Sequence, residues 1–152
     1  MVTIYDAPAD EVISALADRL EAEISEPEWA AYVKTGAGRE FPPDQPRFWY
    51  TRAASILRRV AIDGPVGVER LATVYGSKKE GTKRYGVSPD HRVDGSQKIV
   101  RTILQQLEDS GFVRESPGEN GRIVTAEGQQ FLDTTAGSVL EELDRPELER
   151  YI

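Results

Sequence analysis

The sequence predicts a mostly α-helical fold: a winged helix-turn-helix with extra N-terminal helices and one small β-hairpin wing. Three observations carry the prediction. The run Arg47 to Ile62 lacks Gly and Pro and has one apolar arc; a short helix, a connector and an amphipathic helix succeed one another over 67–110; and two short β-prone runs, Phe112–Glu115 and Arg122–Val124, follow around a turn rich in Gly and Asn. That order is the one expected of a winged helix-turn-helix. At 152 residues, 39% of them hydrophobic, the chain can bury one core and reads as a single domain over 1–152. Within it, 1–46 holds N-terminal helices and a Pro-rich connector, 47–125 the central helix, helix-turn-helix and wing, and 126–152 a C-terminal helix and tail.

Val12, Ile13, Leu16, Leu20 and Ile24 recur at helical spacing behind Asp10 and Glu11, whose charges suit a helix N-terminus, so 10–23 reads as a helix. Pro27 ahead of Trp29, Ala30, Tyr32 and Val33 predicts a short second helix ending near Gly36 and Gly38. Three prolines between Glu40 and Pro46 make a rigid connector. Along the central helix, Trp49, Tyr50, Ala53, Ala54, Ile56, Leu57, Val60 and Ala61 fall on one arc and form core. The opposite arc carries Arg47, Arg52, Arg58 and Arg59 with Phe48 among them. A short helix over 67–75 ends at Gly76, and 77–94 reads as a loop longer than an ordinary connection, hence functional or mobile. Ser96 caps the helix 97–110, which turns Ile99, Val100, Ile103, Leu104 and Leu107 inward and Lys98, Arg101 and Gln105 outward. Thr125 caps the last helix, anchored by Phe131 and Leu132, and Asp144 to Ile152 reads as a frayed tail.

Composition removes several classes of function. With no Cys and one His there is no support for a disulfide framework, a cysteine nucleophile or a thiolate or His metal site. No signal-like start or membrane-length apolar run is present, so the chain reads as soluble, intracellular and free of membrane. The net charge of −7 conceals a strong segregation: residues 1–46 hold 3 basic and 10 acidic side chains, 47–101 hold 12 and 5, and 102–152 hold 4 and 11. A basic centre between acidic ends is the footprint of a chain that meets phosphate on one surface. The plainer alternative is chance segregation with solvated helix faces.

Particular stretches then point to a family. Phe48-Trp49-Tyr50-Thr51-Arg52-Ala53-Ala54-Ser55 resembles the aromatic triplet followed by x-Arg-Ala-Ala-Ser of the archaeal and eukaryotic type of small-subunit ribosomal protein nineteen. Gly64-Pro65-Val66-Gly67-Val68, Tyr75-Gly76, Gly86-Val87-Ser88-Pro89-Asp90-His91, Gly95-Ser96, Ile103 to Glu108, and Gly121-Arg122 leading to Thr125-x-x-Gly128-Gln129-x-x-Leu132-Asp133 are similar to that family's later landmarks. The likeness is collinear from about residue 10 to 137. It departs at Phe48, where the family usually has Trp, at Asp90 for Ser, at Arg92 for an aromatic, and in a longer stretch over 79–85. The resemblance implies a structural constituent of the small-subunit head that binds ribosomal RNA, contacts neighbouring ribosomal proteins, assists subunit maturation and is a monomer when free.

On that reading the RNA-binding residues are Arg47, Phe48, Arg52, Arg58 and Arg59 of the central helix; Lys78, Lys79, Lys83, Arg84, His91 and Arg92 of the long loop; Lys98 and Arg101 of the following helix; and Gly121 and Arg122 as the wing tip. Arginine forks suit phosphate and stack on bases, and a cationic loop can order itself on RNA. Phe48 either stacks on an unpaired base or is covered by the N-terminal helices. The acid excess, with five Lys against 14 Arg, fits the high internal salt of a halophilic archaeal cell, where only close arginine contacts escape screening.

Three rivals remain at this stage. A winged-helix DNA-binding transcription regulator shares the element order, but its cations should concentrate on the recognition helix and wing instead of the preceding helix. An enzyme would need more than the adjacent Glu108 and Asp109, and no P-loop, dinucleotide fingerprint or metal constellation appears, so no catalytic residue, metal or cofactor is assigned. A protein-binding adaptor could use the acidic ends.

Overall fold

The computed structural model describes residues 1–82, 84 and 86–147. Among these, the elements run α1 (Ala9–Leu20), a 3₁₀ turn (Glu28–Ala31), α2 (Phe48–Asp63), α3 (Val68–Val74), β1 (Ser77–Lys79), β2 (His91–Val93), α4 (Gln97–Asp109), β3 (Val113–Glu115), β4 (Arg122–Val124) and α5 (Ala126–Leu143). The mostly α architecture with a small wing is the predicted one.

Helix α2 is central because its apolar arc is wide enough to meet several partners. Trp49, Ala53, Ala54, Ile56, Leu57 and Val60 are buried, and α2 packs on α1, α4 and β4. The inward residues of α4, Ile99, Val100, Ile103, Leu104 and Leu107, are all buried as their spacing requires. The two predicted caps are present: Ser96 Oγ accepts from the Ile99 N–H, and Thr125 Oγ1 accepts from the Gly128 N–H at 3.0 Å. Helix α5 closes on α1, where Arg19 donates to Thr135 Oγ1 at 3.0 Å and Ser138 Oγ at 3.1 Å.

Two expectations are corrected. The second N-terminal helix is a single 3₁₀ turn, because the chain must leave it early to bring Thr35 and Gly36 beside Gly95 and Ser96. There the Ser96 N–H donates to Thr35 O at 2.7 Å. The long segment after α3 is not all loop: β1 and β2 pair antiparallel, with Ser77 opposite Val93, Lys78 opposite Arg92 and Lys79 opposite His91. The fold therefore has a second hairpin in addition to the wing, in which Val113 pairs with Val124 and Glu115 with Arg122. Lys83 and the end of the expected tail, residues 148–152, lie outside the described residues.

Candidate nucleic-acid interface

Arg52 is the best-organised cation of the central helix. It stands one turn after Phe48, so the side chains share a helix face, and its guanidinium carbon lies 5.0 Å from the Phe48 ring centroid and 4.2 Å from that of Tyr75. Tyr75 is pinned in turn, its hydroxyl sharing a 2.6 Å hydrogen bond with Ser55 Oγ. Burial pulls the Arg52 guanidinium below its ordinary pKa; Tyr75 opposes the shift and the nearby Arg39 charge adds to it. An arginine so lowered is still a cation at neutral pH. Burial pushes Tyr75 up, against its hydrogen bond to Ser55 and the charges of Arg52 and Arg59. No carboxylate among the described residues lies within ion-pair distance of Arg52.

The other arginines of the helix are placed differently. Arg47, expected on the same face, turns to α1, where it pairs with Asp18 and, at 2.9 Å, with Glu21. Its hydrogen bond to Asp18 raises its pKa further, so it serves as a clamp between α1 and the start of α2. Arg59 pairs with Asp63 at 3.3 Å one turn on, and the buried Arg58 Nε has no hydrogen-bond partner among the described residues. Phe48 is half-buried against the core, and it lines a cleft of 550 Å³ with Arg39, Phe41, Pro43 and Arg52. The ring is thus partly covered, and the wall opposite it is the Pro-rich connector and not an N-terminal helix.

The β1–β2 hairpin grows directly from Tyr75. Lys78 pairs with Asp90 at 3.0 Å, and the hydrogen bond to that carboxylate raises its pKa. Arg92 donates to Thr73 O at 2.8 Å, satisfying a carbonyl in the last turn of α3 and fixing the hairpin's base. Lys79, Arg84 and His91 are exposed, and His91 makes a local contact through Nδ1 to Pro89 O at 3.3 Å. On α4, Lys98 lies 4.4 Å over the Trp29 ring, and Arg101 is exposed one turn later.

Gly121 and Arg122 are not the wing tip. The turn between the strands runs from Ser116 to Gly121, with Glu119 and no cation; the Ser116 N–H donates to Gly121 O at 3.0 Å, so Gly121 stands at the root of the turn and Arg122 opens β4. Gly121 has φ +116, and a Cβ there would stand 2.8–3.0 Å from the Val66 backbone, so the close approach that its Gly permits is to this chain itself. Arg122 pairs through its backbone with Val66, and its side chain, 17% exposed, turns inward to Glu108 at 3.2 Å. Both residues hold the wing on the body.

Sequence reasoning missed Arg39 and the supporting ring of Tyr75. Arg39 was hidden by the acid excess of residues 1–46, although the Gly36-Ala37-Gly38-Arg39 run signals a tight turn before a cation. The partner that brings Tyr75 to Arg52, 23 positions along the chain, has no local signal.

The family model described as ribosomal protein S19e matches residues 3–142. The chain is 55% identical over 153 residues to the small ribosomal subunit protein eS19 of Haloarcula marismortui, covering 99% of each. It is 41% identical over 158 residues to the eS19 protein of Aeropyrum pernix, covering 100% of each. It is also 38% identical over 143 residues to protein eS19A of Schizosaccharomyces pombe, covering 93% of this chain and 96% of that one.

Proposed function

Because the chain belongs to the ribosomal protein S19e family, we propose that this structural constituent of the small ribosomal subunit binds ribosomal RNA in the subunit head and assists subunit maturation. The observation that carries the reading is Arg52: a half-buried guanidinium within cation–π distance of two rings, Phe48 and Tyr75, without a carboxylate partner among the described residues. Pairing it internally would suit stability alone; leaving its fork unpaired suits a phosphate brought by a partner. Arg58, Lys79, Arg92, His91, Lys98 and Arg101 extend the basic side of the surface, with Lys78 and Arg59 each shared with an internal acid. Neighbouring ribosomal proteins meet the acidic remainder.

A-form RNA presents backbone and shape instead of base edges to a helix, so recognition here is of phosphate geometry. The wing tip lacks the cations a DNA reader would place there, and the relatives are ribosomal, so the regulator reading has no support. The role is structural and not catalytic. The test is to fractionate a lysate on a density gradient at native salt and then crosslink the tagged protein to RNA in cells. Co-sedimentation with small subunits and crosslinks to their RNA are expected. A protein that stays at the top of the gradient would overturn the proposal.

A further inference from the structure

We propose that the turn Gly36 to Arg39 of the N-terminal segment is part of the RNA interface, and that Arg39 and Arg52 clasp one backbone phosphate at the cleft beside Phe48. The inference rests on the RNA-binding reading above and deepens it. Both arginines line that cleft, and neither lies within ion-pair distance of a carboxylate among the described residues. Two like charges lining one cleft disfavour each other until an anion arrives between them; burial is the main cause of the lowered Arg52 pKa, and the Arg39 charge adds a smaller share.

The turn is built into the fold. The Arg39 N–H closes it onto Gly36 O at 3.1 Å, Gly36 bridges to Gly95 at the start of the α4 cap, and Thr35 O accepts from Ser96. Gly38 rests on β1 so closely that a Cβ would come within 2.8 Å of Lys78 O. The turn that carries this cation is tied to both α4 and β1, so little backbone ordering entropy opposes binding. Tyr32 is 84% exposed and Phe41 71%, and they flank the turn with Lys34 between them in sequence. Exposed rings interleaved with cations offer stacking platforms to unpaired bases of a passing strand.

Glu40 and Asp44 also border the cleft. Their charges disfavour a small free anion arriving alone, whereas a phosphate carried by RNA is delivered by the rest of the interface. The chemistry required is a phosphate monoanion, and its source is the RNA backbone.

The experiment is a binding titration of the full chain with purified small-subunit ribosomal RNA across a potassium chloride series, using wild type, Arg39→Gln, Arg52→Gln and the double variant. Arg39→Gln is expected to weaken binding about tenfold and to reduce the salt slope by about one. The double variant is expected to lose little more than either single one, since one shared phosphate is lost only once. Unchanged affinity and slope for Arg39→Gln, with Arg52→Gln impaired, would overturn the inference while leaving RNA binding intact. Multiplying losses would overturn the shared phosphate. A wild-type chain that fails to bind this RNA would remove the parent reading, and the Arg39 contact with it. Inorganic phosphate is expected to leave the wild-type melting temperature unmoved; a rise abolished by Arg39→Gln would assign the pair to a free anion and overturn the RNA assignment.

Discussion

The indole N–H of Trp49 donates to Gln106 Oε1 at 2.9 Å, joining α2 to α4 at the edge of the core. The Gln106 amide passes the connection on, donating through Nε2 to Ser25 O at 2.7 Å. Trp49 is 1% exposed and meets Trp29 edge to face with centroids 5.5 Å apart, so its N–H has no route to water. Gln106→Leu should therefore lower stability by about 1–3 kcal/mol, the usual penalty for orphaning a buried donor. Trp49→Phe in the same chain should make that change cheaper. Urea unfolding of the two single variants and the double one measures the coupling.

Phe48 and Trp49 are consecutive yet differently buried, since one helical step turns the side chain by about 100°. Trp49→Ala should cost about 3–5 kcal/mol, as for other large buried rings. Phe48→Ala should cost roughly half as much, because the ring is only partly enclosed and its loss mainly frees Arg52. Equilibrium unfolding decides the order; RNA binding should fall for Phe48→Ala beyond what stability explains.

Helical phase made most of the fold legible. The arcs of α2 and α4 were readable because a buried helix face needs apolar residues at every third or fourth place, and each element here obeys that rule. The β1–β2 hairpin was not readable: Ser-Lys-Lys and His-Arg-Val are solvent-facing, with no alternation to mark a strand. Of the candidate site, residue type and helix face were enough to set Arg52 off the buried arc of α2 and Arg101 outward on α4, whereas the fates of Arg47 and Arg122 depend on partners far along the chain. Asp18 lies 29 residues before Arg47, and Glu108 lies 14 before Arg122. Local sequence marks a cation but not the acid that claims it.

Arg47 supplies the contrast with Arg52. Its charge is already met by Asp18 and Glu21, so Arg47→Ala should leave RNA affinity and its salt slope unchanged. The expected change lies in the attachment of α1, seen as faster hydrogen exchange at its C-terminal turn. The ion pairs are exposed, and high salt should shrink this difference from wild type.

The wing root tests whether close backbone approach at Gly121 serves RNA or the fold. Gly121→Ala would place a methyl group against the Val66 backbone at a φ that L residues rarely adopt, so a cost of about 2–4 kcal/mol is expected from strain and from disturbing the Val66–Arg122 bridge. Arg122→Ala should cost about 1–3 kcal/mol, because Glu108 loses the guanidinium that faces it from a mostly enclosed position. The two variants are compared with wild type by urea unfolding, and then by RNA binding at a temperature where each remains folded. Stability should fall for both while the affinity of the folded protein holds, since Gly121 abuts the Val66 backbone and the Arg122 side chain turns inward to Glu108. If Arg122→Ala instead weakened RNA binding at unchanged stability, its inward pairing with Glu108 would not persist in the complex, and the arginine would return to the RNA surface.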